Sequence, residues 1–139
     1  MTETTGRCLC GAVRFAAPEA PKWTALCHCE SCRRAASGAV VAWIGFEASD
    51  VRWTGERRFY ASSPHARRGF CPTCGTQMSF ESTRWPGELH LYATALDDPG
   101  RYRPQLHCHA AEQLPWLRLD DDLPRFPATA GETSEGAAP

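Results

Sequence analysis

The chain has 139 residues, 42% of them hydrophobic and 22% charged, and a net charge of −1. This is the composition of an ordinary globular protein, long enough to bury a core. The near-neutral charge excludes a field that would draw the chain to nucleic acid or to an anionic membrane. No apolar run approaches the ~20 residues needed to cross a bilayer, and "MTETTGRCLC" has neither the basic nor the apolar region of a secretory signal. A cytoplasmic setting is therefore expected. Its thiols stay reduced there, so clustered cysteines are metal ligands before they are disulfides.

Eleven glycines and eleven prolines divide the chain into short segments. "AVRFAA" (12–17) alternates, with Val13 and Phe15 on one side. "ESCRRAAS" (30–37) is the best helix candidate, about two turns by its spacing. "AVVAWIGF" (39–46) is apolar and β-branched, the pattern of a central strand. "DVRWTG" (50–55) and "RRFYAS" (57–62) predict a hairpin around Gly55 and Glu56. "TQMSFES" (76–82) alternates, and so does "ELHLYATAL" (88–96), with Leu89, Leu91, Ala93 and Ala95 on one face and His90, Tyr92 and Thr94 on the other. Period two dominates, so the expected fold is mostly β, with short strands joined by cysteine-bearing turns. Residues 1–126 are expected to form the domain. The polar, Ala/Gly/Pro-rich segment 127–139 is expected to be a flexible tail.

Seven of the eight cysteines fall into three motifs: C-x-C (Cys8, Cys10), C-x-C-x-x-C (Cys27, Cys29, Cys32) and C-x-x-C (Cys71, Cys74). Zinc takes four thiolates at about 2.3 Å, and a C-x-x-C turn lets two sulfurs reach one ion. In "CPTCG", Pro72 fixes φ early in the turn and Gly75 suits a left-handed backbone after it. Seven ligands make one closed site of four and one open site of three. Structural zinc sites are closed, whereas catalytic ones keep a position for water or substrate. Spacing leaves two partitions open. Cys29 and Cys32 with Cys71 and Cys74 would resemble a zinc ribbon. Cys8 and Cys10 with Cys71 and Cys74 would leave Cys27, Cys29 and Cys32 as a compact trio, the tidier arrangement because one rigid turn would build it.

Four stretches together carry a resemblance: "GRCLCGAVRF" (6–15), "CHCESCRRAASG" (27–38), "GFCPTCGTQM" (69–78) and "PWLRLDDDLPRF" (115–126). They are similar to the glutathione-dependent formaldehyde-activating enzyme family, whose domain is shared with centromere protein V. The resemblance implies a β-tent fold, short antiparallel sheets stapled by zinc. It implies a structural zinc on Cys8, Cys10, Cys71 and Cys74, and a catalytic zinc on Cys27, Cys29 and Cys32. Two zincs per chain are thus expected, the second partly occupied because a three-coordinate site loses metal readily. It also implies a carbon–sulfur lyase-type activity on the adduct of glutathione with formaldehyde. Cys108, in "QLHCHAAE" (105–112), departs from the family pattern.

The implied chemistry is coherent. A thiol of pKa about 8.5 is mostly protonated at neutral pH and nucleophilic only as the thiolate. Three thiolates make zinc a weak Lewis acid, so thiol chemistry suits the trio better than water activation. A glutathione-like ligand brings carboxylates. Arg33 is the leading candidate to clamp one; Arg34, Arg67 and Arg68 are further candidates, although a surface ion pair is the commoner fate of an arginine. His28 is a candidate proton shuttle, although an x position in C-x-C more often points outward. His107 and His109 share a face if their segment is extended. Cys108 reads as a small apolar residue before a redox nucleophile. Trp43, Trp53, Trp85 and Trp116 read as core.

Two other functions compete. A non-catalytic zinc module that binds a partner would want a basic tail, but the tail here carries Glu132 and Glu135 and no basic residue. A thiol oxidoreductase would need Cys108 exposed beside a resolving cysteine.

Overall fold

The computed structural model describes residues 3–130; the remainder of the expected tail, 131–139, lies outside the described residues. Ten strands and one helix follow in chain order: β1 (Thr4–Arg7), β2 (Arg14–Ala17), β3 (Trp23–Cys27), α1 (Glu30–Ala36), β4 (Val41–Glu47), β5 (Arg52–Thr54), β6 (Arg58–Ser63), β7 (Ala66–Phe70), β8 (Gln77–Ser82), β9 (Glu88–Tyr92) and β10 (His107–Cys108). The fold is mostly β, as the alternation predicts. The described residues form two compact units, one of 3–23 and 44–102, the other of 24–43 and 103–130. Among the described residues, no helix is long and apolar enough to cross a membrane.

The first unit holds a three-stranded sheet, β1-β2-β5, and strands in the order β4-β9-β8-β7-β6. The predicted hairpin of 50–55 with 57–62 does not form. β5 pairs antiparallel with β2, and β6 pairs with β7. Apolar contact decides this. The register sets Trp53 opposite Phe15, with ring centroids 5.7 Å apart and edge to face. Gly55, at φ +84°, passes so close to Ala12 that a Cβ would stand 2.0 Å from its carbonyl oxygen. β6 instead lies exposed, with Phe59 and Tyr60 facing outward. The strand expected over 88–96 stops at Tyr92, where a 3-10 turn, Ala93–Ala95, takes over. Leu89, His90, Leu91 and Tyr92 are all buried, so β9 is covered on both faces.

The second unit holds α1 and a parallel pair, β10 beside β3, with His107 opposite Leu26 and Cys108 opposite Cys27. Helix α1 starts at Cys29, whose own side chain caps nothing; Glu112 accepts a hydrogen bond from the Glu30 N–H at 2.9 Å and meets the positive helix end. Ser37 in the left-handed region ends it. Of the tail segment, Ala128 is buried and its carbonyl accepts from the His109 N–H at 2.9 Å.

Candidate functional site

The structure groups the seven motif sulfurs as four and three. Within each group all sulfurs lie within 4.8 Å of one another: Cys8, Cys10, Cys71 and Cys74 in the first unit, Cys27, Cys29 and Cys32 in the second.

Two facing turns build the group of four. Between β1 and β2, the Cys8 N–H donates to the Val13 carbonyl at 3.0 Å, and the Val13 N–H donates to the Cys8 sulfur at 3.3 Å. After β7, the Cys71 N–H reaches the Thr76 carbonyl at 2.9 Å. The Thr73 and Cys74 N–H groups point at the Cys71 sulfur at 3.3 and 3.4 Å. Gly75, at φ +82°, supplies the left-handed step that this turn needs. Thr76 was not legible as a functional residue. Its hydroxyl lies 3.1 Å from the Cys74 sulfur, drawing that thiol down to about 5, and accepts from the Leu9 N–H at 3.1 Å. The spacing fits a metal. Four thiolates at about 2.3 Å from a tetrahedral ion stand about 3.8 Å apart. Cys8 and Cys10 are 3.7 Å apart, and Cys10 and Cys71 are 3.8 Å apart.

The trio is built by the end of β3 and the start of α1. Cys27, Cys29 and Cys32 are 2%, 1% and 0% exposed. Crowded sulfurs share their protons unequally. The Cys27 thiol is pushed up, first by the neighbouring Cys108 sulfur and then by Cys29 and Cys32. Cys29, receiving hydrogen bonds from Cys27 and Cys32, is drawn down to about 2. Three buried sulfurs this close can all ionise only with a cation among them, and this donor set is the soft one that zinc takes.

His28, between two of these cysteines, does not point outward. It is fully buried, and burial pushes its imidazole down to about 4. Its Nε2 lies 2.8 Å from Nδ1 of His107, also fully buried, and the rings stack with centroids 5.1 Å apart. The Nε2 of His107 lies 3.1 and 3.0 Å from the Asp121 oxygens. The carboxylate only accepts, so the His107 proton is on Nε2 and its Nδ1 accepts from the His28 Nε2–H. His28 Nδ1 is then an acceptor with no hydrogen-bond partner among the described residues. Sequence reading missed Asp121, one carboxylate in a run of three, with nothing local to single it out.

His109 does not continue the strand. Its φ of +53° turns the chain, and its Nδ1 lies 3.3 Å from Glu112. Cys108 is half-buried. In the last turn of α1, the half-buried Arg33 donates from Nε to the His28 carbonyl at 3.0 Å. Arg34 pairs with Glu30 at 2.8 Å. Both arginines line a cleft of about 570 Å³ with Ser37, Leu114 and Trp116. Trp116 is no core residue: it is 69% exposed, whereas Trp43 is 3% exposed. In the first unit, Arg67 pairs with Glu81 at 3.0 Å, and the buried Arg68 lies over the Phe80 ring at 4.8 Å.

Comparison with known proteins agrees with the motifs. An uncharacterized lyase of Schizosaccharomyces pombe is 39% identical over 84 residues, 60% of this chain and 61% of that protein. A Halomonas elongata protein, named provisionally as a glutathione-dependent formaldehyde-activating enzyme, is 29% identical over 127 residues, 83% of this chain and 80% of its own length. A crystal structure of a Rhodobacter sphaeroides protein shares the fold, with a TM-score of 0.53 at 23% identity over 67% of this chain and 87% of that one. The sequence profile described as glutathione-dependent formaldehyde-activating enzyme matches residues 3–112, a span that includes both sulfur clusters. By that match the chain belongs to the glutathione-dependent formaldehyde-activating enzyme family.

Proposed function

We propose that the chain is a zinc-dependent enzyme of the carbon–sulfur lyase type. It acts on the adduct of a low-molecular-weight thiol, glutathione-like, with a small aldehyde such as formaldehyde. The observation that carries the reading is the buried trio of Cys27, Cys29 and Cys32, three thiolates where a closed site needs four. These residues hold the catalytic zinc. Cys8, Cys10, Cys71 and Cys74 hold a structural one. Zinc at the trio supplies a positive centre that keeps a substrate thiol deprotonated near neutral pH.

The remaining work falls to the chain. Helix α1 joins the two halves of the site, since it carries both Cys32 and the arginines of the cleft. Arg33 pairs with a substrate carboxylate, and Trp116 offers an exposed ring for the substrate backbone to lie against. The relay Asp121–His107–His28 fixes the imidazole between Cys27 and Cys29 and so orients the trio. In the addition direction, a sulfur lone pair forms the S–C bond to the aldehyde carbon. The C=O π pair moves to oxygen, which takes up a proton in place of the one the thiol shed. The lyase direction is the reverse.

Two measurements test this on the zinc-loaded chain. Elemental analysis should return two zincs per polypeptide. Glutathione added to the cobalt-substituted protein should change the cobalt spectrum, and Arg33→Ala or Trp116→Ala should weaken the half-saturation point while leaving the metal count at two. Two bound ions with no spectral response to millimolar thiol would sink the reading.

A further inference from the structure

Cys108 is absorbed neither by the motifs nor by the mechanism above. We propose that its sulfur is the fourth thiolate of the Cys27/Cys29/Cys32 site, closing that site in the resting protein, and that a substrate thiol enters by taking its place. The inference rests on the reading that the trio holds a metal.

The geometry begins with the backbone. β10 lies parallel to β3 with Cys108 directly opposite Cys27. Register partners project to the same face of a sheet, and neighbouring strands lie about 4.8 Å apart. Two cysteines so placed bring their sulfurs to one ion, as C-x-x-C does within a turn. The three motif sulfurs lie within 4.8 Å of one another without Cys108, so closing the site takes a rotation of the Cys108 side chain toward Cys27, its partner across the strands. The strand cannot drift. The Leu26 N–H donates to Leu106 at 2.9 Å and the His28 N–H to Cys108 at 3.1 Å. On the other side, the His107 N–H donates to Pro124 and the Phe126 N–H to His107, both at 2.9 Å.

Exposure separates Cys108 from the trio. The three motif sulfurs are sealed at 2% or less, while Cys108 is half-buried. Of the four residues it is the one that solvent reaches. Partial exposure does not disqualify a ligand: in the group of four, Cys10 is exposed and Cys74 half-buried. With Cys108 in place the trio is closed, as structural zinc sites are. When a substrate thiol replaces it, one sulfur takes the position of another and the count at the ion stays at four.

The test is X-ray absorption at the zinc edge of the full-length, zinc-loaded chain, wild type against Cys108→Ser. The wild type should average four sulfurs per zinc. The variant should average about 3.5, with about half an oxygen or nitrogen ligand per zinc, because one of eight sulfurs is lost. A second measurement needs no variant: mass-mapped alkylation by N-ethylmaleimide. Cys108 should be protected in the zinc-loaded protein despite its exposure, should label after chelation, and should label when glutathione is added. A wild type already averaging 3.5 sulfurs, or equal Cys108 labelling with and without zinc, overturns this proposal and leaves the trio reading intact. A disulfide between Cys27 and Cys108 in the loaded protein also overturns it. A wild type holding one zinc overturns both.

Discussion

The buried pair of histidines offers the sharpest test of how the site is held. Replacing His107 by Leu removes the acceptor from the His28 Nε2–H, a 2.8 Å contact in a place with no solvent access. His28 Nδ1 already lacks a partner, so both ring nitrogens would then be unsatisfied. An unmade buried hydrogen bond costs about 1–3 kcal/mol, a fall of about 5- to 150-fold in the folded-to-unfolded ratio. The effect should be local as well as global, because His28 sits between Cys27 and Cys29, two of the proposed zinc ligands. Loss of a group that orients metal ligands weakens metal binding by about 10- to 100-fold. Urea unfolding of the zinc-loaded protein reads the first effect. Competition with a chromogenic chelator reads the second, with one zinc leaving early and the other, at the group of four, leaving as in the wild type. Asp121→Ala should do less of both, because the Asp121 side chain is 24% exposed and water can replace it on His107. A His107→Leu protein with unchanged urea midpoint and two firmly held zincs would refute the reasoning.

Three further outcomes are expected. Cys71→Ser should lower the metal count from two to one and unfold the first unit, seen as loss of cooperative unfolding, because Cys71 anchors three N–H···S and S···S contacts. Burial raises the Glu88 carboxyl, but hydrogen bonds from His90, Lys22 and Trp23 outweigh it and hold the group at about 2. Its folded value is depressed, so its contribution, at most about 3 kcal/mol, is present above its ordinary value of 4.5 and lost as pH falls toward 2. The gap in urea midpoint between wild type and Glu88→Gln should therefore narrow as pH falls below 4.5; a gap that does not narrow refutes the assignment. Gly45→Ala places a Cβ 2.2 Å from the Trp23 ring, which donates to Glu88 at 3.2 Å. It should destabilise by about 1–3 kcal/mol, and near-UV circular dichroism should report the displaced indole.

Local features were legible in the sequence and long-range ones were not. The C-x-x-C turn, its glycine, helix α1 and the alternating strands each depend on residues a few positions apart, so their spacing revealed them. Spacing could not say whether Cys8 and Cys10 or Cys29 and Cys32 face Cys71 and Cys74, because turn geometry carries no information about its partner. Trp53 chose Phe15, across 38 residues, over the nearby β6, and no local rule ranks those contacts. β7 escaped notice because its "ARRGF" alternates with arginine on both faces, one of them buried over Phe80. His28, His107 and Asp121 are far apart in the chain and ordinary one by one; only their meeting gives them a role. Trp116 was misjudged by residue type alone.

The spacing of the sulfurs also bears on how the chain is made. Five of the motif cysteines, at 8, 10, 27, 29 and 32, leave the ribosome before Cys71, the first of the last two. The 39 residues from Cys32 to Cys71 take about 2–8 s to synthesise at about 5–20 residues per second. During that interval a metal ion can be captured by a mixed set, such as Cys8 and Cys10 with two of the trio. On the proposed metal assignment, such a nascent complex would have to surrender its ion before Cys8, Cys10, Cys71 and Cys74 could assemble around one, so an exchangeable metal supply would suit this chain better than an abundant one.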